Sequence, residues 1–339
     1  MIVNSHVHMA RYGREFSAEL AKLCLAEFGG TPCWRTGEPW RPEDFCVSTE
    51  RLIQDMDRLG IDRAIVLGIA YVPLNAYDPT AAEYLAEEVV GRHPDRLVAF
   101  YAADPTGGVR EVRRFERAVD GLGLRGLKLL PSGNRVAIND RRIWPLYESA
   151  ERMGVPVVCH TGWDTLPTER MLDYEHPLFA EDVVRDFPDL KLVLAHTGFQ
   201  WADEAIWLMA KSPNLYADLA FWPETTPLWR AAQVLSWAKK LGVLDRILWG
   251  SDYPFVDFAP GLEYVRRIPD YTRRHELEPY LTEEDLAGVL GLSAAGLIGV
   301  WGGGPACAAA GGGNDTRLAP TTRRIRTSVR PDEREAGRA

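Results

Sequence analysis

Three observations in the sequence predict an eight-fold β/α barrel, the (β/α)8 or TIM-barrel class of α/β proteins. Short apolar runs recur eight times, and each has a partner stretch of helical periodicity. Together they occupy roughly 270 residues, the size of such a barrel. An open doubly wound sheet is the competing architecture, but it rarely needs eight such units.

The first run is Ile2-Val3-Asn4-Ser5-His6-Val7-His8. Residues 9–47 follow as a long insertion with one helical-looking piece at 18–28, and loops of that length in compact domains usually serve as lids or binding loops. In 48–59, Leu52, Ile53, Met56 and Leu59 share one helical face and Gly60 ends it. The alternation then becomes regular: strands at 64–67, 97–102, 124–130, 155–160, 190–196, 214–219 and 246–252. Helices follow at 79–92, 109–119, 142–153, 177–187, 201–210, 227–241 and 261–273. Two short helices, 282–290 and 293–298, are expected to pack outside the barrel. Beyond Trp301 the glycine and alanine triplets lead into a segment with seven arginines against four acids and almost no core formers. The chain therefore divides into a barrel, 1–301, and a C-terminal tail, 302–339, that is expected to be disordered.

A net charge of -9 argues against nucleic acid or an anionic membrane as partner, since both attract a basic surface. The default partner is a small-molecule substrate. Five cysteines, an odd number without regular spacing, do not make a disulfide framework and point to a reducing cytoplasm. Cys24, Cys33 and Cys46 lack the C-x-x-C pair of a structural zinc site. No signal peptide precedes the first strand, and no apolar run is long enough to span a bilayer.

Catalytic groups in a barrel of this class sit where strands end and the following loops begin. His6 and His8, two residues apart on a strand, present their imidazoles to one face as a ready pair of metal ligands. Strand five ends in His160-Thr161-Gly162, strand six in His196-Thr197-Gly198, and strand eight in Gly250-Ser251-Asp252-Tyr253-Pro254. Four of the seven histidines thus fall on one rim, which favours a metal centre over four separate strand caps. Aromatic residues crowd the same rim: Tyr71, Trp163, Phe199, Trp201, Phe221, Trp222 and Tyr253. Wall packing explains most of them. As a group they suggest a flat or cyclic substrate, with Trp163, Trp222 and Tyr253 as contacts and Arg11, Arg14 or Arg135 as a carboxylate clamp.

His6-x-His8, Lys128-Leu129-Leu130-Pro131, His160-Thr161-Gly162, Ala195-His196-Thr197-Gly198 and Gly250-Ser251-Asp252-Tyr253-Pro254 resemble, in order, the motifs of the amidohydrolase superfamily. The resemblance is to its amidohydrolase-2 branch, which includes proteins similar to aminocarboxymuconate-semialdehyde decarboxylase. It implies one divalent ion, usually zinc and sometimes manganese, on the positions matching His6, His8, His160 and Asp252. It also implies a polarising or protonating role for His196 and, as in many relatives, a homodimer. Binuclear members of the superfamily bridge two ions with a carboxylated lysine, which makes Lys128 the candidate bridge. A lysine paired with an acid at the rim is the other reading. Three departures stand out: Asn4 where relatives often have Asp, Leu130 where many read His, and Ser293-Ala294-Ala295-Gly296 for Asn-Ala-x-Arg.

The branch contains both hydrolases and decarboxylases. The sequence favours a metal-dependent hydrolase, with metal-activated water attacking a lactone, amide or ester carbonyl, Asp252 relaying the proton and His196 steadying the oxyanion. Non-oxidative decarboxylation of a hydroxyaryl or muconate-like acid is the alternative. A catalytically inactive binding barrel is the third reading, and intact ligand positions argue against it. Residues 9–47 and 162–176 are expected to close over the substrate.

Overall fold

The computed structural model describes residues 1–164 and 171–299. Eight strands run parallel in sequence order: β1 (Val3–His8), β2 (Arg63–Leu67), β3 (Leu97–Ala102), β4 (Leu127–Leu129), β5 (Val157–His160), β6 (Leu192–Ala195), β7 (Leu215–Asp218) and β8 (Ile247–Leu248). Main-chain hydrogen bonds bring the two edges together, with Ser5 N donating to Trp249 O at 2.9 Å and Asp252 N to His6 O at 2.9 Å. The fold is a TIM barrel, as the alternation predicts.

The interior is assembled by alternation. Ile65 and Leu67, Val98 and Phe100, Val158, Val193, Ala195 and Leu248 pack on one another inside, while Ala64, Val66, Ala99, Leu129, Cys159 and Leu194 face the surrounding helices. Ala294 and Leu297 of the helix Ser293–Ile298 join the inner cluster, so this helix packs on the barrel core. On β1 the register against β2 shifts between Asn4 and Val7. That bulge changes which parity points inward: Val3 belongs to the apolar interior, yet His6 and His8 also turn into the barrel.

Most predicted strands lose a residue or more at their ends, and two are much shorter than expected. The 124–130 run pairs only over Leu127–Leu129 and the 246–252 run only over Ile247–Leu248, because the residues after Leu248 form the β8 loop. The last barrel helix is split into Phe258–Arg266 and Ile268–Arg274, with Pro269 in the first turn of the second piece, where its missing N–H is tolerated.

The insertion after β1 is packed. Helix Ala18–Phe28 and the turn Pro42–Phe45 contribute Leu20, Ala21, Cys24 and Phe45 to a separate apolar cluster with Phe16, Trp40, Ile69, Tyr71 and Leu130 over the barrel mouth. Among the described residues no helix is long and apolar enough to cross a membrane. The expected tail, 302–339, and part of the expected 162–176 cover lie outside the described residues.

Candidate active site

The carboxyl ends of the strands converge on a cavity. Leu20, Phe28, Ile69, Tyr71, Leu130, Trp163, Phe199, Phe221 and Phe255 make its walls, and His8, His160, Asp164, His196 and Asp252 make its polar floor. Leu130 adds to the apolar wall.

The four rim histidines have a shared hydrogen-bond logic. His6 Nδ1–H donates to Asp218 Oδ2 at 2.9 Å, His8 Nδ1–H to Leu67 O at 3.1 Å, His196 Nδ1–H to Ala220 O at 2.9 Å, and His160 Nε2–H to Trp163 O at 3.2 Å. Each outer nitrogen thus uses its proton, leaving a lone pair on the inner one. These lone pairs face each other: His6 Nε2 lies 3.2 Å from His8 Nε2, and His196 Nε2 lies 3.1 Å from His160 Nδ1. Burial lowers the pKa of all four rings, so protons are poor fillers of these gaps near neutrality.

A cation fits them better. Asp252 Oδ1 stands 3.4 Å from His8 Nε2 and 3.7 Å from His6 Nε2, and one donor atom from each of these three residues lies within 4.8 Å of the others. Two neutral imidazoles and a carboxylate form a donor set suited to a divalent ion. His160, expected beside them, joins an adjoining group with Asp164 and Glu175. Burial pushes the Asp252 carboxyl up to about 7, with Lys128 opposing the shift. Lys128 points into the barrel from β4, fully buried, its Nζ 3.5 Å from His6 Nε2, and burial lowers its pKa. It is an interior group here, not a rim lysine.

The backbone holds this arrangement in unusual conformations. His196 (φ 61°), Thr197 (φ 50°), Phe199 (φ 45°) and Asp252 (φ 75°) all occupy left-handed space without being glycine. Such residues cost on the order of 1–3 kcal/mol each and cluster where function requires them. Gly250 is required sterically: a Cβ there would lie 2.7 Å from the His6 Cβ and 3.2 Å from Ser5 Oγ. Asn4 uses both ends of its amide. It donates to Ser251 Oγ at 2.7 Å and accepts from Ser251 N at 3.0 Å, tying β1 to the β8 loop.

Three predicted substrate contacts are placed elsewhere. Trp222 is buried behind the cavity, its Nε1–H donating to His196 O at 2.7 Å. Tyr253 turns outward after the left-handed Asp252, stacks on Phe258 and donates to Asp55 Oδ2 at 3.0 Å. Arg135 caps the turn Pro131–Asn134 and is exposed away from the cavity lining. Trp163 does line it.

The sequence reading did not assign Asp218, Asp164, Glu175 or Ser132. Asp218 accepts from His6 Nδ1 and, through Oδ1, from the backbone N–H of His196 at 2.8 Å, so one carboxylate orients two rim histidines. Its signal was an acid at the end of a predicted strand. Asp164 and Glu175 follow β5 and Ser132 follows β4, and their proximity has no sequence periodicity.

The fold and rim define a metal-site barrel of the amidohydrolase class. The sequence model of the amidohydrolase family matches residues 4–300, and the chain belongs to that family. A curated relative, 2-amino-3-carboxymuconate-6-semialdehyde decarboxylase of Dictyostelium discoideum, is 22% identical over 274 residues, covering 68% of this chain and 75% of that protein. Among solved structures, dihydroxybenzoic acid decarboxylase from a Polaromonas species, with bound manganese and 2-nitroresorcinol, matches with a TM-score of 0.65 at 17% identity, covering 88% of this chain and 97% of that one. A probable 2-pyrone-4,6-dicarboxylic acid hydrolase from Acinetobacter baumannii matches with a TM-score of 0.58 at 15% identity, covering 88% and 99%.

Proposed function

We propose that the protein is a metal-dependent, non-oxidative decarboxylase of a flat, conjugated or hydroxyaryl carboxylic acid. The observation that carries this reading is the division of the cavity: aromatic and aliphatic walls surround a floor on which neutral imidazoles and Asp252 converge. Similarity to the muconate-semialdehyde decarboxylase and to the dihydroxybenzoic acid decarboxylase moves the reading from hydrolysis, favoured by sequence, to carbon–carbon cleavage.

A divalent ion bound by His6, His8 and Asp252, with His160 adjacent, would hold the substrate carboxylate and a neighbouring hydroxyl and balance their charge. The apolar walls orient a planar ring and exclude water. Asp252 turns Oδ1 toward His6 and His8, which leaves its second oxygen to carry a proton. It gives that proton to the ring carbon bearing the carboxylate. The bond from that carbon to the carboxyl group then breaks, its electron pair returns to the ring, and carbon dioxide leaves. His196, held by Ala220 O and Asp218, keeps a lone pair directed into the floor and is the second group able to handle this proton.

The test is a substrate panel of hydroxybenzoates, muconate-like acids and lactones incubated with manganese- or zinc-reconstituted enzyme. Carbon dioxide release with loss of one carboxyl group is expected. Lactone opening without carbon dioxide would restore the hydrolase reading.

A further inference from the structure

Asp252 reaches His6 and His8 from a turn that is held from three sides. Its backbone is left-handed (φ 75°), a conformation that a non-glycine residue keeps only where its surroundings over-determine it. The turn closes through Phe255 N–H, which donates to Asp252 O at 3.1 Å. β1 holds its inner edge, with Asp252 N donating to His6 O at 2.9 Å and His8 N to Tyr253 O at 2.7 Å. Helix Thr49–Leu59 holds Tyr253, whose hydroxyl donates to the buried Asp55 at 3.0 Å. The insertion after β1 holds the outer edge. Trp34 Nε1–H and Arg35 Nη1–H both donate to Pro254 O, at 3.0 and 3.2 Å, so two neighbouring side chains fill both lone pairs of one carbonyl. These two are themselves fixed. Cys33 N donates to Glu38 O at 2.8 Å and Gly37 N to Cys33 O at 2.8 Å, closing the loop that carries them. The Arg35 guanidinium lies over the Trp34 and Trp40 rings at 5.0 and 5.9 Å. Phe255 packs among Phe16, Phe28 and Phe45 of the insertion and sets its ring against His8.

We infer that Trp34 and Arg35, with Asp55 on the opposite side, are positioning residues for Asp252, so that the insertion sets the place of a carboxylate on the cavity floor as well as covering it. Neither Trp34 nor Arg35 lines the cavity, so their effect on the floor passes through the turn. The lever is short, since Pro254 is two residues from Asp252. A turn released at its outer edge lets the left-handed Asp252 relax and carries Oδ1 from its place 3.4 Å from His8 Nε2 and 3.7 Å from His6 Nε2. Phe255 ties the same movement to the cavity wall, because its ring meets both the insertion and His8. The inference rests on the metal reading of His6, His8 and Asp252 and is independent of the reaction catalysed.

The test loads the full chain with Co2+ and reads its visible absorption, which follows the ion's donors and geometry, and its Kd by competition with a chelator. Trp34→Phe and Arg35→Met each leave one donor on Pro254 O and are expected to bind within about twofold of wild type. The double variant has neither donor and is expected to lose about tenfold in affinity, the lower end for loss of groups that orient metal ligands, with an altered spectrum. A double variant with the wild-type melting temperature, Kd and spectrum would overturn the inference and leave the insertion as a cover alone. Should that variant not fold, Tyr253→Phe decides in its place, since it removes only the hydroxyl held by Asp55 and loosens the same turn. An altered spectrum there supports the inference, and a wild-type spectrum overturns it. A wild type that binds no Co2+ would overturn the metal reading and the inference with it, a result distinct from the others.

Discussion

Asp218→Asn isolates the orientation of His6. Asp218 Oδ2 accepts the His6 Nδ1 proton at 2.9 Å, while Oδ1 accepts from His196 N at 2.8 Å and Ala220 N at 3.1 Å. In the asparagine variant the two backbone donors retain the carbonyl oxygen, so the amide NH2 turns toward His6 Nδ1. A donor facing Nδ1 favours the other tautomer, with the proton on Nε2, and Nε2 is the nitrogen directed at His8 and Asp252. The lone pair needed for a metal is removed without changing the side chain's shape. Loss of such an outer partner costs about 10–100-fold in metal affinity, or about 1.4–2.8 kcal/mol. Competition against a fluorescent chelator at pH 7.5 reads this directly, with thermal unfolding as the fold control. A metal Kd within about twofold of wild type would refute the tautomer argument.

Other perturbations follow from the same geometry. Gly250→Ala sets a methyl group 2.7 Å from the His6 Cβ and should cost about 1–3 kcal/mol by denaturant unfolding, with weakened metal binding; an unchanged midpoint would contradict the packing. Because burial raises the Asp252 carboxyl to about 7, protons compete with metal there: affinity should rise with pH up to about 7 and level above it. Asp252→Asn should remove that slope, and a slope persisting in the variant would place the proton elsewhere. Trp163→Ala, in the cavity wall, should raise KM for an aromatic acid. Trp222→Phe should leave KM near wild type while lowering stability by about 1–3 kcal/mol through the unpaired His196 carbonyl; the reverse pattern would exchange their roles.

Much of the fold was legible because strand and helix periodicities differ and alternate eight times. The rim was legible for a related reason: once His160, His196 and Asp252 are placed at strand ends, barrel topology gathers them. The bulge in β1 was not legible, because the alternation of His6 and His8 looks the same with or without a register shift. Trp222 and Tyr253 were misdirected by sequence proximity. Beyond a strand's last pair, the local backbone sets side-chain direction, and Phe221 and Asp252 both take left-handed conformations just before them. Asp218 was visible as an acid at a strand end, yet its role depends on the His6 ring that it faces across the barrel. Asp164, Glu175 and Ser132 come together only through loop packing.

Solvent deuterium incorporation tests the central claim most directly. A carboxyl-labelled hydroxyaryl or muconate-like acid is turned over in D2O by the metal-loaded enzyme, and products are followed by NMR. The account predicts labelled carbon dioxide and one deuterium on the carbon that carried the carboxylate, both lost in Asp252→Asn. Lactone or amide hydrolysis with the carboxyl group retained, or undiminished turnover in Asp252→Asn, would contradict it.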